Sequence, residues 1–139
     1  MTKLGLSFFK HESKLSIALS SRLVDDELNQ DSRILIIKIT NIGGKTAVIK
    51  SIKINVPRNE FEVIPKFLSS ESLPYELKEG EVCLAEISIK ELVQKLIDEK
   101  YSKKVKLLII VEDEDGKIHR PMASLMFDLD KLRGKYYTK

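Results

Sequence analysis

The chain has little of several residue types on which particular classes of protein depend. Its 139 residues include one cysteine, Cys83, and no tryptophan. A single cysteine excludes an internal disulfide and a metal site built from several thiolates. The two histidines, His11 and His119, are too few for a histidine-based zinc site. The absence of tryptophan argues against a lectin-like site, because such sites usually stack sugars on exposed aromatic rings.

Long apolar runs are also missing. The longest one near the C-terminus, Leu107 to Val111, has five residues, whereas a membrane-spanning helix needs about 20. Near the N-terminus, "LGLSFF" is too short for the apolar core of a secretory signal and precedes the polar residues Lys10 and Glu12. The sequence therefore predicts no membrane segment and no export signal. Together with the single cysteine, this favours a reducing cytosol.

Positive charge is concentrated at the C-terminus. The net charge of +3 comes from 24 basic and 21 acidic residues, and the last nine residues, "KLRGKYYTK", contain four of the basic ones and no acid. Without those four the rest of the chain has 20 basic and 21 acidic residues, a net charge of −1. We interpret residues 1–130 as one domain and residues 131–139 as a basic tail. Only the tail has an electrostatic reason to bind nucleic acid.

Short segments in which apolar and polar residues alternate dominate the domain and predict β-strands. The predicted strands are Lys14–Val24, Arg33–Thr40, Ala47–Ile54, Glu81–Ile89, Val105–Val111 and a returning strand Ile118–Leu129, with a short edge strand in "EFEVI" (60–64). Pro121 predicts an edge or a bulge in the returning strand. Residues 65–74, "PKFLSSESLP", are predicted to be a loop, and "YELKEGE" a turn.

One helix is predicted from Lys90 to Lys100. Ser88 and Glu91 match a capping box, in which the serine hydroxyl accepts the backbone N–H of the glutamate. Apolar residues then recur at helical spacing and form one stripe. The stripe consists of Leu92, Val93, Leu96 and Ile97.

The tripeptide Gly44-Lys45-Thr46 resembles the end of a phosphate-binding loop. Such a loop needs a first glycine five residues earlier and must open a helix. Position 39 is Ile39, and the residues that follow the tripeptide predict a strand. We therefore predict a glycine hairpin tip, in which Asn41, Gly43 and Gly44 provide the positive φ angles of a tight turn.

Short strands at regular spacing with one short helix predict an all-β fold, an antiparallel two-sheet sandwich. The segments "ILIIKITNIGGKTAVIKSIKI", "LPYELKEGE" and "VKLLIIVEDEDGKIHR" resemble immunoglobulin-like or fibronectin-like domains of small, mostly uncharacterised bacterial and phage proteins. The resemblance covers residues 33 to 120. It implies an immunoglobulin-like fold and no functional residue, because the matching motifs are turns. The chain departs from the pattern at Lys78-Glu79-Gly80, where proline is usual, and in a longer segment from Val56 to Leu73.

Acidic residues beside the last predicted turn offer a candidate calcium site. The cluster consists of Glu112, Asp113, Glu114 and Asp115. Calcium needs six to eight oxygens around one point, so a second acidic loop would have to lie at the same end of the sandwich, as in C2-type sandwiches. The loop with Asp25, Asp26, Glu27 and Asp31 could supply it. We expect a solvated hairpin tip at residues 112–115 more than a calcium site.

No arrangement of residues in the sequence indicates catalysis. No serine stands in a nucleophile-elbow context. Cys83 lies in the middle of a predicted strand between Val82 and Leu84, which favours a core thiol over a nucleophile. His119 follows a turn and has no nucleophile beside it in the sequence. We therefore predict that the protein is not an enzyme and needs no cofactor.

The sequence favours a cytoplasmic, non-enzymatic protein-interaction module, an adaptor, accessory or inhibitor protein of bacterial or phage origin. Its partner would be another protein, bound by loops at one end or by an edge strand that accepts an extended segment. The alternative is contact with nucleic acid through the tail, whose tyrosines could stack on bases. The candidate contact residues are Lys131, Arg133, Lys135, Tyr136, Tyr137 and Lys139.

Overall fold

The computed structural model describes residues 14–25, 31–69 and 71–136. Ten strands and two helices lie within these ranges. The strands are β1 (Leu15–Asp25), β2 (Asp31–Asn41), β3 (Ala47–Val56), β4 (Asn59–Val63), β5 (Lys66–Phe67), β6 (Tyr75–Leu77), β7 (Val82–Ser88), β8 (Lys104–Asp113), β9 (Ile118–His119) and β10 (Leu125–Asp128). The helices are α1 (Ile89–Asp98) and α2 (Leu129–Tyr136).

The strands form two antiparallel sheets. The first has the order β1-β2-β7-β5, and the second has the order β10-β8-β3-β4, with β6 beside β3 and β9 beside β8. Every pairing is antiparallel. Apolar side chains from both sheets belong to one buried cluster. The predicted two antiparallel sheets are confirmed, and the arrangement is consistent with a β-sandwich.

The period-two pattern of the predicted strands also predicts which of their residues face the core, and the structure agrees with it. Because side chains alternate between the two faces of a strand, one face of each strand is apolar. The residues with the strongest pattern lie on β2, β8 and β10, and all of them are buried. They are Leu35, Ile37, Ile39, Val105, Leu107, Ile109 and Phe127.

Helix α1 begins where its capping signal predicted. The Ser88 hydroxyl accepts the backbone N–H of Glu91 at 3.2 Å, which satisfies one of the free donors of the first turn. The predicted stripe Leu92, Val93, Leu96 and Ile97 is buried, together with Ile89. The helix contacts β2, β7 and α2, and therefore covers the first sheet where β7 ends.

The predicted glycine hairpin is wrong. β2 and β3 belong to different sheets, so residues 42–46 carry the chain from one sheet to the other. Among the described glycines, positive φ angles occur at Gly80 and Gly116, not in this segment. The buried Asn41 side chain holds the crossing instead. Its Nδ2 donates to the carbonyls of Lys45 and Leu77, both at 2.8 Å, and its Oδ1 accepts the N–H of Gly43 at 3.0 Å.

The predicted returning strand is two short strands rather than one. β9 pairs with β8 through Val111 and His119, whereas β10 pairs with β8 through Leu107 and Leu125. Pro121 lies in the interruption, where its missing N–H costs no ladder hydrogen bond. The edge strand predicted in "EFEVI" is confirmed as β4. The predicted loop and turn are partly wrong, because they contain β5 and β6, which add to the two sheets.

The C-terminal region contains a second helix that the sequence did not predict. α2 begins at Leu129, the last residue of the predicted returning strand, and continues to Tyr136. The backbone N–H of Leu129 donates to the carbonyl of Lys103 at 2.7 Å. Leu129 is buried, and Leu132 packs partly buried against the core. Six of the nine residues that the sequence assigns to a tail therefore belong to a helix that packs on the domain.

Candidate functional site

The acidic cluster at the β8–β9 turn is not uniformly solvated, because Asp113 is only 1% exposed. Its Oδ1 accepts the backbone N–H groups of Asp115 and Lys117, at 3.0 and 2.9 Å. Its Oδ2 lies 2.9 Å from His119 Nε2. The prediction of a solvated tip is therefore wrong for Asp113, whose carboxylate organises the turn from inside.

His119 connects this turn to the start of β1. Its Nδ1 accepts the backbone N–H of Leu15 at 3.3 Å, so the ring proton is on Nε2, from which it is donated to Asp113. A histidine that acts as a base in a nucleophilic triad needs one ring nitrogen free to face the nucleophile. Both nitrogens of His119 are occupied by structural partners. The pair therefore joins the two sheets and has no free nitrogen to offer a substrate.

The other carboxylates of the cluster point to different partners. Glu112 Oε1 lies 3.5 Å from Lys53 Nζ and 3.4 Å from the hydroxyl of Ser51. Asp115 forms an ion pair with Lys45 at 3.1 Å. Glu114 is exposed. Among the described residues, no group of three or more histidine, cysteine or acidic side chains is placed to hold a metal ion.

The topology contradicts the two-loop calcium hypothesis. His119 binds the backbone of Leu15, which places the 112–115 cluster beside the start of β1. Asp25 and Asp31 pair at the opposite end of the β1–β2 hairpin. Because β1 has 11 residues, Asp25 and Asp31 are about 30 Å from the 112–115 cluster, too far to share one ion with it. Asp26 and Glu27 lie outside the described residues.

Cys83 is a core thiol, as predicted. It is 4% exposed on β7, and burial raises its pKa from 9.0 to about 11. At neutral pH the thiol is therefore protonated, and a thiol is a poor nucleophile compared with the thiolate. This environment matches the packing role of Cys83 rather than a chemical one.

An apolar groove opens between β4 and α1, where the edges of the two sheets come together. We call it the β4–α1 groove; its volume is about 510 Å³. Its apolar lining consists of Ile34, Phe61, Val63, Ile64, Ile87 and Leu92. Ile64 is 96% exposed, and the Lys95 ammonium lies 5.1 Å from the centroid of the Phe61 ring. A cation thus covers one aromatic face while the isoleucine stays open to solvent.

The sequence contained a signal for this groove that the strand analysis did not use. Val63 and Ile64 are consecutive, and neighbouring residues of a strand point to opposite faces. One of the two therefore had to lie outside the core or beyond the end of the strand. β4 ends at Val63, and Ile64, the next residue, is the exposed one. A broader depression of about 750 Å³ lies at the β3–β4 turn, but most of its lining is polar, including Asn55, Arg58 and Lys106.

The first residue of the predicted basic tail, Lys131, lies near other cations that the sequence analysis had not connected with it. The hydrogen bond from Leu129 to Lys103 brings the first turn of α2, with Lys131, close to the start of β8. That segment exposes Lys100, Lys103, Lys104 and Lys106. Arg133, Lys135 and Tyr136 belong to α2, whereas Tyr137 and Lys139 lie outside the described residues. This juxtaposition depends on the pairing of β8 with β10, which composition alone does not reveal.

Comparison with protein families and with curated proteins gives no relative from which a function could be transferred. No protein-family model matches the chain, and no curated protein shows significant similarity to it. Within the ranges that the structure describes, no helix has both the length and the hydropathy needed to cross a membrane. The function must therefore be inferred from the surfaces described above.

We expect Asp113→Asn to lower the free energy of unfolding by about 1–3 kcal/mol, the cost of leaving a buried donor without an acceptor. Asparagine would present an NH₂ group, or lose an acceptor, where Asp113 now serves two backbone N–H groups and His119. Urea denaturation measures the change. The matched control is Asp115→Asn in the same turn, whose exposed ion pair is worth less than about 1 kcal/mol. Equal stability of the two variants would contradict this account of Asp113.

We expect Cys83 to react with iodoacetamide at pH 8 at least about 100 times more slowly in the folded protein than in urea. A pKa of about 11 instead of 9.0 lowers the thiolate fraction about 100-fold, and burial restricts access further. Since the unfolded thiol ionises first, stability should also fall as the pH rises from 9 towards 11. Equal alkylation rates in the folded and unfolded chains would contradict the burial of this thiol.

Proposed function

We propose that this chain is a non-enzymatic protein-interaction module with an immunoglobulin-like fold, acting as a bacterial or phage adaptor, accessory or inhibitor protein in the cytoplasm. Its strand order supports the fold. The order β1-β2-β7-β5 corresponds to strands A-B-E-D of an immunoglobulin-like sandwich, and β4-β3-β8-β10 corresponds to C′-C-F-G. Helix α1 then occupies the E–F connection, and no catalytic role is assigned to any residue.

The β4–α1 groove is the observation that carries this proposal. Single exposed apolar side chains are common on protein surfaces, but Ile64 is 96% exposed and adjoins a slot lined by Phe61 and Val63. Burial of one such side chain by a partner stabilises the complex by about 1.5–3 kcal/mol. Binding sites for partners typically combine an apolar pocket with a charged rim, and Glu62, Lys66 and Glu91 supply the rim here.

The groove fits an extended segment of another protein that inserts an apolar side chain. The groove lies at the edges of both sheets, because β4 ends the second sheet and β5 ends the first. An extended segment could therefore follow these edges while its apolar residue occupies the slot. The exposed β4 residues Glu60 and Glu62 favour a segment that carries lysine or arginine next to the apolar residue.

Replacement of Ile64 by aspartate tests this proposal. The wild-type chain, Ile64→Asp and the control Met126→Asp are used as baits in lysate of the source organism. Met126 is an exposed residue on β10, at the edge of the second sheet opposite β4. Partners recovered by wild type and control are then purified and titrated by calorimetry. We expect Ile64→Asp to weaken binding about 10- to 150-fold and Met126→Asp to leave it unchanged. Partners that bind Ile64→Asp as tightly as wild type would argue against the groove.

A second candidate function, contact with single-stranded nucleic acid, is favoured by one observation. The first turn of α2, with Lys131, lies beside the segment that exposes Lys103, Lys104 and Lys106. The cations available to phosphates are thus more numerous than the tail alone supplies, and electrostatic contacts with phosphates dominate such binding. Asp128 and Asp130 lie in the same region and reduce the net charge, so we place this candidate second.

Fluorescence anisotropy with a labelled single-stranded oligonucleotide distinguishes the two functions. Removal of residues 131–139 is unsuitable, because Leu132 packs against the core. The test variant is Lys103→Gln/Lys106→Gln, and the control with the same charge is Lys50→Gln/Lys78→Gln; all four lysines are exposed. If two phosphate contacts are lost, the slope of log affinity against log salt should become shallower by about 1.4 in the test variant alone. Equal slopes, or no binding at micromolar protein, would dismiss this candidate.

A further inference from the structure

Among the described strands, β1 is a long sheet edge whose stretch from Leu15 to Ser21 has none of the usual features that prevent pairing with another chain. It has 11 residues, and within the described part of the chain the strand that pairs with it is β2. Edge strands are normally protected by charges, proline, bulges or short length. The stretch from Leu15 to Ser21, "LSIALSS", contains no charge and no proline, and its pairing with β2 has no bulge.

The edge strand β4 on the opposite side of the second sheet shows the contrast. It has five residues, with exposed carboxylates at Glu60 and Glu62. The backbone N–H of Glu60 is already occupied, because it donates to Asn59 Oδ1 at 2.8 Å. β4 is therefore short, charged and partly capped, whereas β1 has none of these features between Leu15 and Ser21.

The ladder between β1 and β2 shows which backbone groups point away from the sheet. The N–H of Ile42 donates to the carbonyl of Lys14 at 2.9 Å, so Lys14 and Ile42 form a hydrogen-bonded pair. Hydrogen-bonded and non-hydrogen-bonded pairs alternate in an antiparallel ladder, which directs the N–H and C=O groups of Ile17, Leu19 and Ser21 outward. Leu15 confirms this direction, because its N–H reaches His119 and not β2.

Two of the residues with outward backbone groups, Ile17 and Leu19, also direct their side chains towards the core. Ile17 is buried, while Leu19 is only partly buried at the edge of the core. A strand added at this edge with apolar residues at alternate positions would cover Leu19 and extend the inner face of the sheet. The exposed side chains on the other face of β1 are small and leave room for the added strand; they belong to Ser16, Ala18 and Ser20. β1 of a second copy would be such a strand, because it has apolar residues at alternate positions and small side chains between them.

We propose that β1 pairs antiparallel with β1 of a second copy of this chain, around a two-fold axis at Leu19. The contact joins two four-stranded sheets into one continuous sheet, an isologous interface of the kind that closes as a dimer. Leu19 then faces Leu19 of the other copy. A register centred on Ala18 is disfavoured, because it sets Lys14 of one copy opposite Arg22 of the other.

A second feature on the same side of the molecule supports this contact. β9 and β10 lie beside β8 on the side that faces β1, because His119 of β9 binds Leu15. The link between them exposes Met122 completely, so a second copy at the β1 edge brings this side chain towards the interface. The β4–α1 groove is at the other edge of the sheets, so the self-pairing stands or falls independently of the proposed function.

Oligomeric state tests the proposal with the full chain. Sedimentation equilibrium should give twice the monomer mass of 15.9 kDa at about 100 µM, with dissociation on dilution. Ser21→Pro removes an outward N–H that makes no bond to β2, and we expect it to raise the dimer dissociation constant at least about tenfold. The matched control Ser21→Thr keeps the N–H and should dimerise like wild type. A wild-type chain that is monomeric at 100 µM, or a folded Ser21→Pro that dimerises normally, would overturn the proposal.

Hydrogen exchange measured by NMR locates the contact independently of the proline variant. The amides of Ile17, Leu19 and Ser21 should become protected as the concentration rises, whereas those of Ala18 and Ser20 should be protected throughout. A monomer in which all five are protected would assign the edge to residues 1–13 and overturn the proposal. If Ser21→Pro fails to fold, the pair Ala18→Lys and Ala18→Glu replaces it. Each variant alone should dimerise less than wild type and the mixture should form a heterodimer; failure of the mixture to do so would count against the contact.

Discussion

The arrangement of the two sheets depends on one buried polar connection, the link from Asp113 through His119 to the backbone of Leu15. The Asp113 carboxylate holds the β8–β9 turn by accepting two backbone N–H groups, and it fixes the ring of His119. His119 in turn holds the N–H of Leu15 in the other sheet. An unpaired buried polar group is costly. The Asp113 carboxylate therefore fixes the position of the His119 ring, and the ring fixes the position of the Leu15 N–H. The connection fixes where β1 begins relative to β9, and it leaves the outward groups from Ile17 onward unoccupied by the second sheet.

Local sequence pattern predicted the elements of this fold better than their partners. The alternation in β2 and β8 and the cap at Ser88 are short-range signals, and the core residues and helix α1 followed from them. Which sheet a strand joins is decided by long-range packing. For that reason the crossing at residues 42–46 was mistaken for a hairpin, and α2 was mistaken for part of a strand followed by a tail. Asp113 was misjudged because four adjacent carboxylates indicate a solvated turn. Burial of one of them is tolerated only because backbone donors and His119 surround it.

The two lateral sides of the domain differ in the kind of contact that they can make. At the β4–β5 side the strands are short and charged, and the free apolar surface lies in a slot beside Ile64. At the β1 side, no second strand among the described residues pairs with the outer edge, and the side chains from Leu15 to Ser21 are small or apolar. The β4–α1 groove selects a partner by the shape of one inserted side chain. A sheet edge accepts any strand whose apolar and polar residues alternate in the matching register. The groove therefore suits a specific foreign segment and the edge suits a repeated one. The two contacts can form together, since they involve opposite edges.

The buried titratable groups have little part in either contact. The proton of His119 is fixed on Nε2 by the donor from Leu15, and the raised pKa of Cys83 keeps its thiol protonated at neutral pH. What the described residues offer to a partner is apolar area at Ile64 and backbone groups at Ile17, Leu19 and Ser21 that point away from β2. Neither changes charge between pH 5 and 8, so recognition through them should depend weakly on pH. Salt should weaken binding in the groove less than contacts through the lysines beside α2, because screening acts on the charge pairs with Glu60 and Glu62 but not on the apolar burial of Ile64. The dependence of binding on salt therefore separates the two functional candidates on physical grounds alone.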